Sequence, residues 1–212
     1  MTKMLLIGDI HGKWEEYSWK LEHYGLGESV QLGDFGWGFG GQDTEFMQRR
    51  VQALHATMDM GNHRYIRGNH DNPAACQEDP HWIPDVTMDT QRGIFYLGGA
   101  WSIDKDWRTP GIDWWPDEEL SYDKLYTAID VYEHAKPEIV LSHECPEDII
   151  PYMFPWYRKE FPSRTREALG SMWSIHKPRL WVFGHWHTSH TAFFDGCQFT
   201  CLAELECMVI NT

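Results

Sequence analysis

Five short apolar runs in this sequence end in the same manner, on a turn of polar side chains that are able to bind ions. Met4–Gly8 leads to Asp9-x-His11, and Ser29–Leu32 to Gly33-Asp34. Arg64–Ile66 leads through Arg67 to Gly68-Asn69-His70-Asp71, Glu138–Ser142 to His143-Glu144, and Leu180–Phe183 to Gly184-His185-Trp186-His187. Runs of that length, four of them stopped by glycine, predict buried strands. Helical patterns fill the gaps at Trp14–Tyr24, Thr44–Met58, Ser121–Ala135 and Thr165–His176, with Ser163 or Thr165 as a cap for the last. Strand and helix in alternation imply an α/β fold with mainly parallel strands, and such sheets gather their ligands at the carboxyl ends of strands.

The rest of the chain is less regular. Ile94–Ala100 reads as a further strand, Phe35–Gly41 as a glycine-rich loop, and residues 102–119 as a long loop rich in Trp, Asp and Pro. Residues 146–163 carry four prolines and read as an irregular, lid-like excursion. The tail Thr191–Ile210 alternates enough for two antiparallel strands turning at Asp195-Gly196. No repeat or linker divides the 212 residues, so residues 1–212 are expected to form one domain.

Composition narrows the partners. No apolar run approaches the roughly 18–20 residues of a membrane span, and Met4–Ile7 is too short for a signal peptide. A formal charge of -14, from 18 basic and 32 acidic side chains, argues against stable binding to duplex nucleic acid. Cys76, Cys145, Cys197, Cys201 and Cys207 form no CxxC pair and read as free thiols of a reducing cytoplasm, with Cys197 and Cys201 in an apolar run.

The strand-end residues are carboxylates, imidazoles and one amide, a donor set suited to borderline divalent metals. In Asp9-x-His11 and His185-x-His187, alternate residues of extended chain face one side, so each pair can serve one site. Five of the twelve histidines lie at these strand ends. One such pair is weak evidence of metal binding, whereas the full set in strand-end positions is strong.

Taken together, Asp9-x-His11, Gly33-Asp34, Gly68-Asn69-His70-Asp71, His143 and Gly184-His185-x-His187 resemble the signature blocks of the calcineurin-like metallophosphoesterase superfamily, in their usual order. The stretch Gly99–Glu119, with Arg108-Thr109-Pro110 and Trp114-Trp115-Pro116, is similar to a subgroup common in actinobacteria and their phages. The resemblance implies a four-layer α/β/β/α sandwich of two mixed sheets flanked by helices. It also implies two divalent metals. Asp9, His11 and His187 would hold one, Asn69, His143 and His185 the other, and Asp34 would bridge them. His70 matches the catalytic histidine, and Asp71 is a candidate to orient it, with turn capping as the alternative. Manganese is the expected metal, and iron, zinc, cobalt or magnesium also suit oxygen and nitrogen donors.

Two cations roughly 3.5–4 Å apart need a bridging anion, and a water between them is acidified to hydroxide near neutral pH. Two divalent ions, Asp9, Asp34 and one hydroxide leave a single positive charge to attract phosphate. His70 could stabilise the transferring phosphoryl group or protonate the leaving oxygen.

The second block departs from the related phosphoprotein phosphatases, which carry Gly-Asp-x-x-Asp-Arg-Gly. Here it reads Gly33-Asp34-Phe35-Gly36-Trp37-Gly38, without the second Asp and the Arg. Arg108 is the candidate to bind phosphate in their place. Arg67 is expected in a structural ion pair. The basic run Arg158, Lys159, Arg164 and Arg166 reads as a solvated face, with a rim around the site as the alternative. Of the twelve tryptophans, Trp37, Trp101, Trp107, Trp114, Trp115 and Trp186 fall in site loops. Most should plug loops onto the core, one or two could stack a base, and Trp186 should point away from its ligand neighbours.

The expectation is therefore a binuclear hydrolase of small phosphate esters, diesters such as 2′,3′-cyclic nucleotides ahead of monoesters. A Ser/Thr protein phosphatase is the second reading, and a non-catalytic scaffold on the same fold the third. Composition and motifs leave the oligomeric state open.

Overall fold

The computed structural model describes residues 2–39, 44–157 and 162–212. The first βαβαβ run is β1 (Lys3–Ile7), α1 (Trp14–Tyr24), β2 (Glu28–Leu32), α2 (Glu45–Met58) and β3 (Asn62–Ile66). These strands are parallel, and the last strand of the chain, β10 (Cys207–Asn211), joins β1 antiparallel to give the order β10-β1-β2-β3. The second sheet has six strands in the order β4-β5-β6-β7-β9-β8. They are β4 (Thr87–Asp89), β5 (Ile94–Leu97), β6 (Ile139–Ser142), β7 (Leu180–Phe183), β8 (His190–Phe194) and β9 (Cys197–Cys201). Its interior strands are parallel and both edge strands antiparallel.

Side-chain alternation builds the layers. Met4 and Leu6 of β1 pack with Tyr96, Leu141 and Val182 between the sheets, while Leu5 and Ile7 face α1 and α2. On the other sheet, Phe95, Val140 and Trp181 face α4 (Tyr122–Ala135) and α6 (Arg164–Ile175). The result is the expected four-layer α/β/β/α sandwich, with β2, β5, β6 and β7 buried on both faces as parallel sheets require and the edge strands β4, β8 and β10 partly exposed. Thr44, Ser121 and Ser163 cap their helices by accepting from Met47, Lys124 and Arg166 backbone N–H groups.

Several elements depart from expectation. Asn72 caps a short helix, α3 (Pro73–Glu78), with proline in its first turn, in a stretch to which the sequence pattern assigns no element. The excursion at 146–163 contains α5 (Ile150–Met153), and Ile149, Ile150, Met153 and Phe154 are buried in the core beneath α6. That part is an anchored segment and not a free lid. The tail hairpin turns at Asp195-Gly196, whose φ angles of 46° and 84° fit a type I′ turn. Its continuation then crosses to the other sheet as β10. Cys197 and Cys201 are buried, and all five cysteines are free thiols. Among the described residues, no helix is long and apolar enough to cross a membrane.

Candidate metal centre

The loops after β1, β2, β3, β6 and β7 converge at one edge of the sandwich. Backbone bonds tie the first two together: His11 and Ile10 N–H both donate to the Asp34 carbonyl, at 2.8 and 3.2 Å. Eight described non-glycine residues have positive φ, and four of them are predicted ligands: His11, Asp34, His185 and His187. Left-handed backbone is costly for such residues and persists where surrounding structure over-determines it, commonly at functional sites.

Gly68 shows how tightly the loops meet. A Cβ there would stand 2.1 Å from Asp34 Oδ1 and 2.3 Å from Asp34 N. Backbone cannot yield as a flexible side chain would, so Gly68→Ala must push Asp34 out of place. It is expected to weaken metal binding by about 10- to 100-fold, the range for disturbing a ligand's support. Isothermal titration with Mn²⁺, beside a circular dichroism check of the fold, measures it.

Two groups of donors form, with Asp34 in both. Asp9, His11, Asp34 and His187 make one, and Asp34, His143 and His185 the other, each with donor atoms within 4.8 Å of one another. His187 Nε2 lies 3.0 Å from Asp9 Oδ2 and 2.9 Å from His11 Nε2. His143 donates from Nδ1 to the Leu32 carbonyl at 2.8 Å, which fixes its tautomer. Its Nε2 then faces two oxygens, Asn69 Oδ1 at 3.2 Å and Asp34 Oδ1 at 3.3 Å. A lone pair aimed at two acceptors needs a cation between them, and these donors fit a pair of divalent ions.

The electrostatics agree. Burial opposes charge on Asp34, yet the imidazoles of His143, His70 and His11 hold its carboxyl well below the usual range. Burial opposes charge on His143 too, but Asp34 and Asp9 push it up to about 10, the mark of acidic surroundings that favour a cation at Nε2. Burial and the neighbouring His143 hold His185 well below its usual value, which leaves its lone pair available.

A supporting layer escaped the sequence reading. Asn69 Nδ2 donates to Ser102 Oγ at 2.9 Å, and Ser102 Oγ donates to buried Glu118 at 2.5 Å. This chain turns the Asn69 amide so that Oδ1 faces His143. Glu144 lies 3.6 Å from His185 Nε2 and accepts from Trp186 Nε1 at 2.7 Å. The motif His143-Glu144 carried the signal, unassigned. The Glu118 and Ser102 pairing joins two ends of the Trp-rich loop and has no local signature.

Asp71 requires a correction. Its carboxylate accepts from the N–H groups of Phe35, Gly36, Trp37 and Gly68 at 2.7–3.1 Å. It ties the β2 loop to the β3 loop and does not orient His70, because both oxygens are spent on backbone. Arg67 is buried in an ion pair with Asp85 at 2.8 Å, as the sequence reading expected.

His70 stands at the mouth of the centre, its backbone N–H on Asp34 Oδ1 at 2.8 Å and its ring 5.0 Å from that of His11. The structure brings Arg108 to it: Nη2 lies 2.7 Å from His70 Nε2 and Nη1 3.0 Å from Nδ1. Asp104 Oδ2 at 2.7 Å and the Asp113 carbonyl at 3.1 Å hold the guanidinium there. Burial holds the His70 imidazole below its usual value, with Asp34 opposing and Arg108 assisting.

A cleft of about 400 Å³ opens over these residues, walled by Trp101, Trp156, Tyr157 and Trp186. Trp186 points away from the ligands and stacks on Phe154 at 4.2 Å, and Trp37 and Trp115 are buried loop plugs. Trp107 is 90 % exposed. In the basic run, Arg166 is 3 % exposed and lines the cleft beside Glu144, so the solvated-face reading fails for it. Arg164 donates to the Leu120 and Glu119 carbonyls, a structural role. Arg158 and Lys159 lie outside the described residues.

Fold and site together define a sandwich protein with two adjoining groups of metal-ligating side chains that share Asp34. The chain belongs to the calcineurin-like phosphoesterase family, whose profile matches residues 2–189. That family depends on two metals. No curated protein matches the chain. Among solved structures it is similar to a dimetal phosphatase from Danio rerio (14 % identity, 96 % of this chain and 88 % of that one, TM-score 0.56). It is also similar to the phosphopantetheinyl hydrolase of Mycobacterium tuberculosis (12 % identity, 96 % and 90 %, TM-score 0.55). A third likeness is to GAP50, the anchor in the inner membrane complex of Plasmodium (11 % identity, 95 % and 71 %, TM-score 0.58). At these identities the likeness is one of fold.

Proposed function

We propose that the chain is a binuclear metal-dependent hydrolase of small phosphodiesters. Asp9, His11 and His187 would hold one metal, Asn69, His143 and His185 the other, with Asp34 shared. When bound, the metals supply positive charge for the phosphate and an acidified water as nucleophile. Arg108 grips phosphate oxygens beside His70 with two N–H groups. His70 then stands free to carry a proton to the leaving oxygen.

The preference for diesters rests on one observation: among the described residues, both arginines of the cleft, Arg108 and Arg166, are already paired with acids. Arg108 has Asp104, and Arg166 has Glu144 at 3.8 Å and Glu147 at 3.6 Å. Apart from the metals, the described residues of the cleft thus offer little net positive charge to a monoester dianion. A diester carries one negative charge, and its second substituent can lie on the aromatic wall. Trp101 or Trp156 offers a nucleobase a stacking face. Manganese is the metal this reading loads, and the five free thiols support a reducing cytoplasm as its setting.

The test uses protein stripped of metal and refilled with Mn²⁺, given a chromogenic phosphodiester and the matching monoester. Diester turnover above the monoester rate is expected. Monoester turnover alone would return the site to the phosphatases, and no turnover of either would favour a scaffold.

A further inference from the structure

A second cluster of metal-binding side chains lies outside the cleft, between α2, α3 and the chain that follows. His55 Nε2 on α2 lies 2.8 Å from Asp79 Oδ2, at the end of α3. The same carboxylate accepts from the His81 backbone N–H through Oδ1 at 2.7 Å. Donor atoms of His55, Asp79 and His81 all fall within 4.8 Å of one another.

The His81 ring gives the cluster its meaning. Its Nε2 bonds to Asp59 Oδ1 at 3.1 Å, which keeps the proton on that nitrogen. Its Nδ1 is buried and has no hydrogen-bond partner, yet it faces Asp79 Oδ1 at 3.5 Å. The His81 side chain is only 9 % exposed and that of Asp79 only 1 %. A buried lone pair against a buried carboxylate is unfavourable unless a cation joins them.

We propose that His55, Asp79 and His81 form a third, mononuclear site for a zinc-like divalent cation. Two imidazoles and one carboxylate suit tetrahedral zinc, with a water in the fourth position. His55 is 28 % exposed, which leaves that side open. Asp59 plays the part of the carboxylate behind a metal-bound histidine, fixing its tautomer and orientation. The rings are already held: Trp37 stacks on His55 at 5.3 Å, and the His81 carbonyl accepts from the Tyr65 N–H on β3. The ion would fasten α2 to the chain leaving α3, and it shares no ligand with the Asp34 centre.

The full chain saturated with Co²⁺ and freed of excess metal tests this, with bound metal counted by mass spectrometry and visible absorption recorded. Three ions per chain are expected, and two in His55→Gln, whose amide still donates to Asp79 so the fold is spared. Independence from the Asp34 centre is read in D34N, which should keep one tetrahedral ion that the D34N/H55Q double variant loses. An unchanged count in H55Q, or equal counts in D34N and D34N/H55Q, would overturn the third site and leave the phosphodiesterase reading untouched.

Discussion

Asp34→Asn is expected to empty both positions of the main centre and to lower hydrolysis by at least about 10³-fold. Losing a group one step removed from a metal typically costs only 10–100-fold. Asp34 is a direct donor in both clusters, with Oδ1 3.3 Å from His143 Nε2 and Oδ2 3.8 Å from His11 Nε2. Without its charge two repelling cations lose their common anion. The asparagine oxygen can still accept from the His70 N–H, so the loops keep their shape and the loss reads as charge. Manganese bound per chain and turnover of a chromogenic ester, with circular dichroism as the control, give the result. Two metals retained at full rate would remove Asp34 from its bridging position.

His70→Ala should separate chemistry from metal binding. The His70 ring stands near the donor clusters without belonging to either. Metal content should therefore stay at the wild-type level while the rate falls by about 10²–10⁴-fold, the usual contribution of a positioned acid or base. A fall in metal content would make His70 a ligand instead. Arg108→Ala is expected to cost about 10- to 100-fold in kcat/KM, the worth of one or two charge-assisted hydrogen bonds. Because Arg108 touches both ring nitrogens of His70, the two losses should not add, and the double variant should fall little below His70→Ala.

What could be read from the chain beforehand was the part governed by local pattern. Each predicted ligand follows a buried strand and most follow a glycine, so Asp9, His11, Asp34, Asn69, His143, His185 and His187 could be placed at strand ends before any coordinates. The rest depends on contacts between distant segments. Asp71 sits beside His70 in the chain, yet three of the four amides its oxygens accept from lie 34 to 36 positions away. Ser102 and Glu118 meet across a loop with no periodic pattern, and Arg166 is buried because Tyr157 and two glutamates surround it. Alternation along the tail revealed strands but could not tell which sheet takes them. Thus β10 crosses to the first sheet although β8 and β9 stay in the second.

That crossing carries a thermodynamic consequence. Thr2 and Thr212 exchange backbone hydrogen bonds at 3.0 and 2.9 Å beside the β1–β10 ladder, so the two ends of the chain are held together. Closing a ring of this size costs loop entropy that grows only with the logarithm of its length, on the order of 5 kcal/mol. The strand pairing bears that cost. Asp9 and the His185 N–H, 176 positions apart, meet at 3.0 Å within this frame. The entropy of bringing candidate ligands together from distant parts of the sequence is thus met in large part by strand pairing, the same pairing that sets the core.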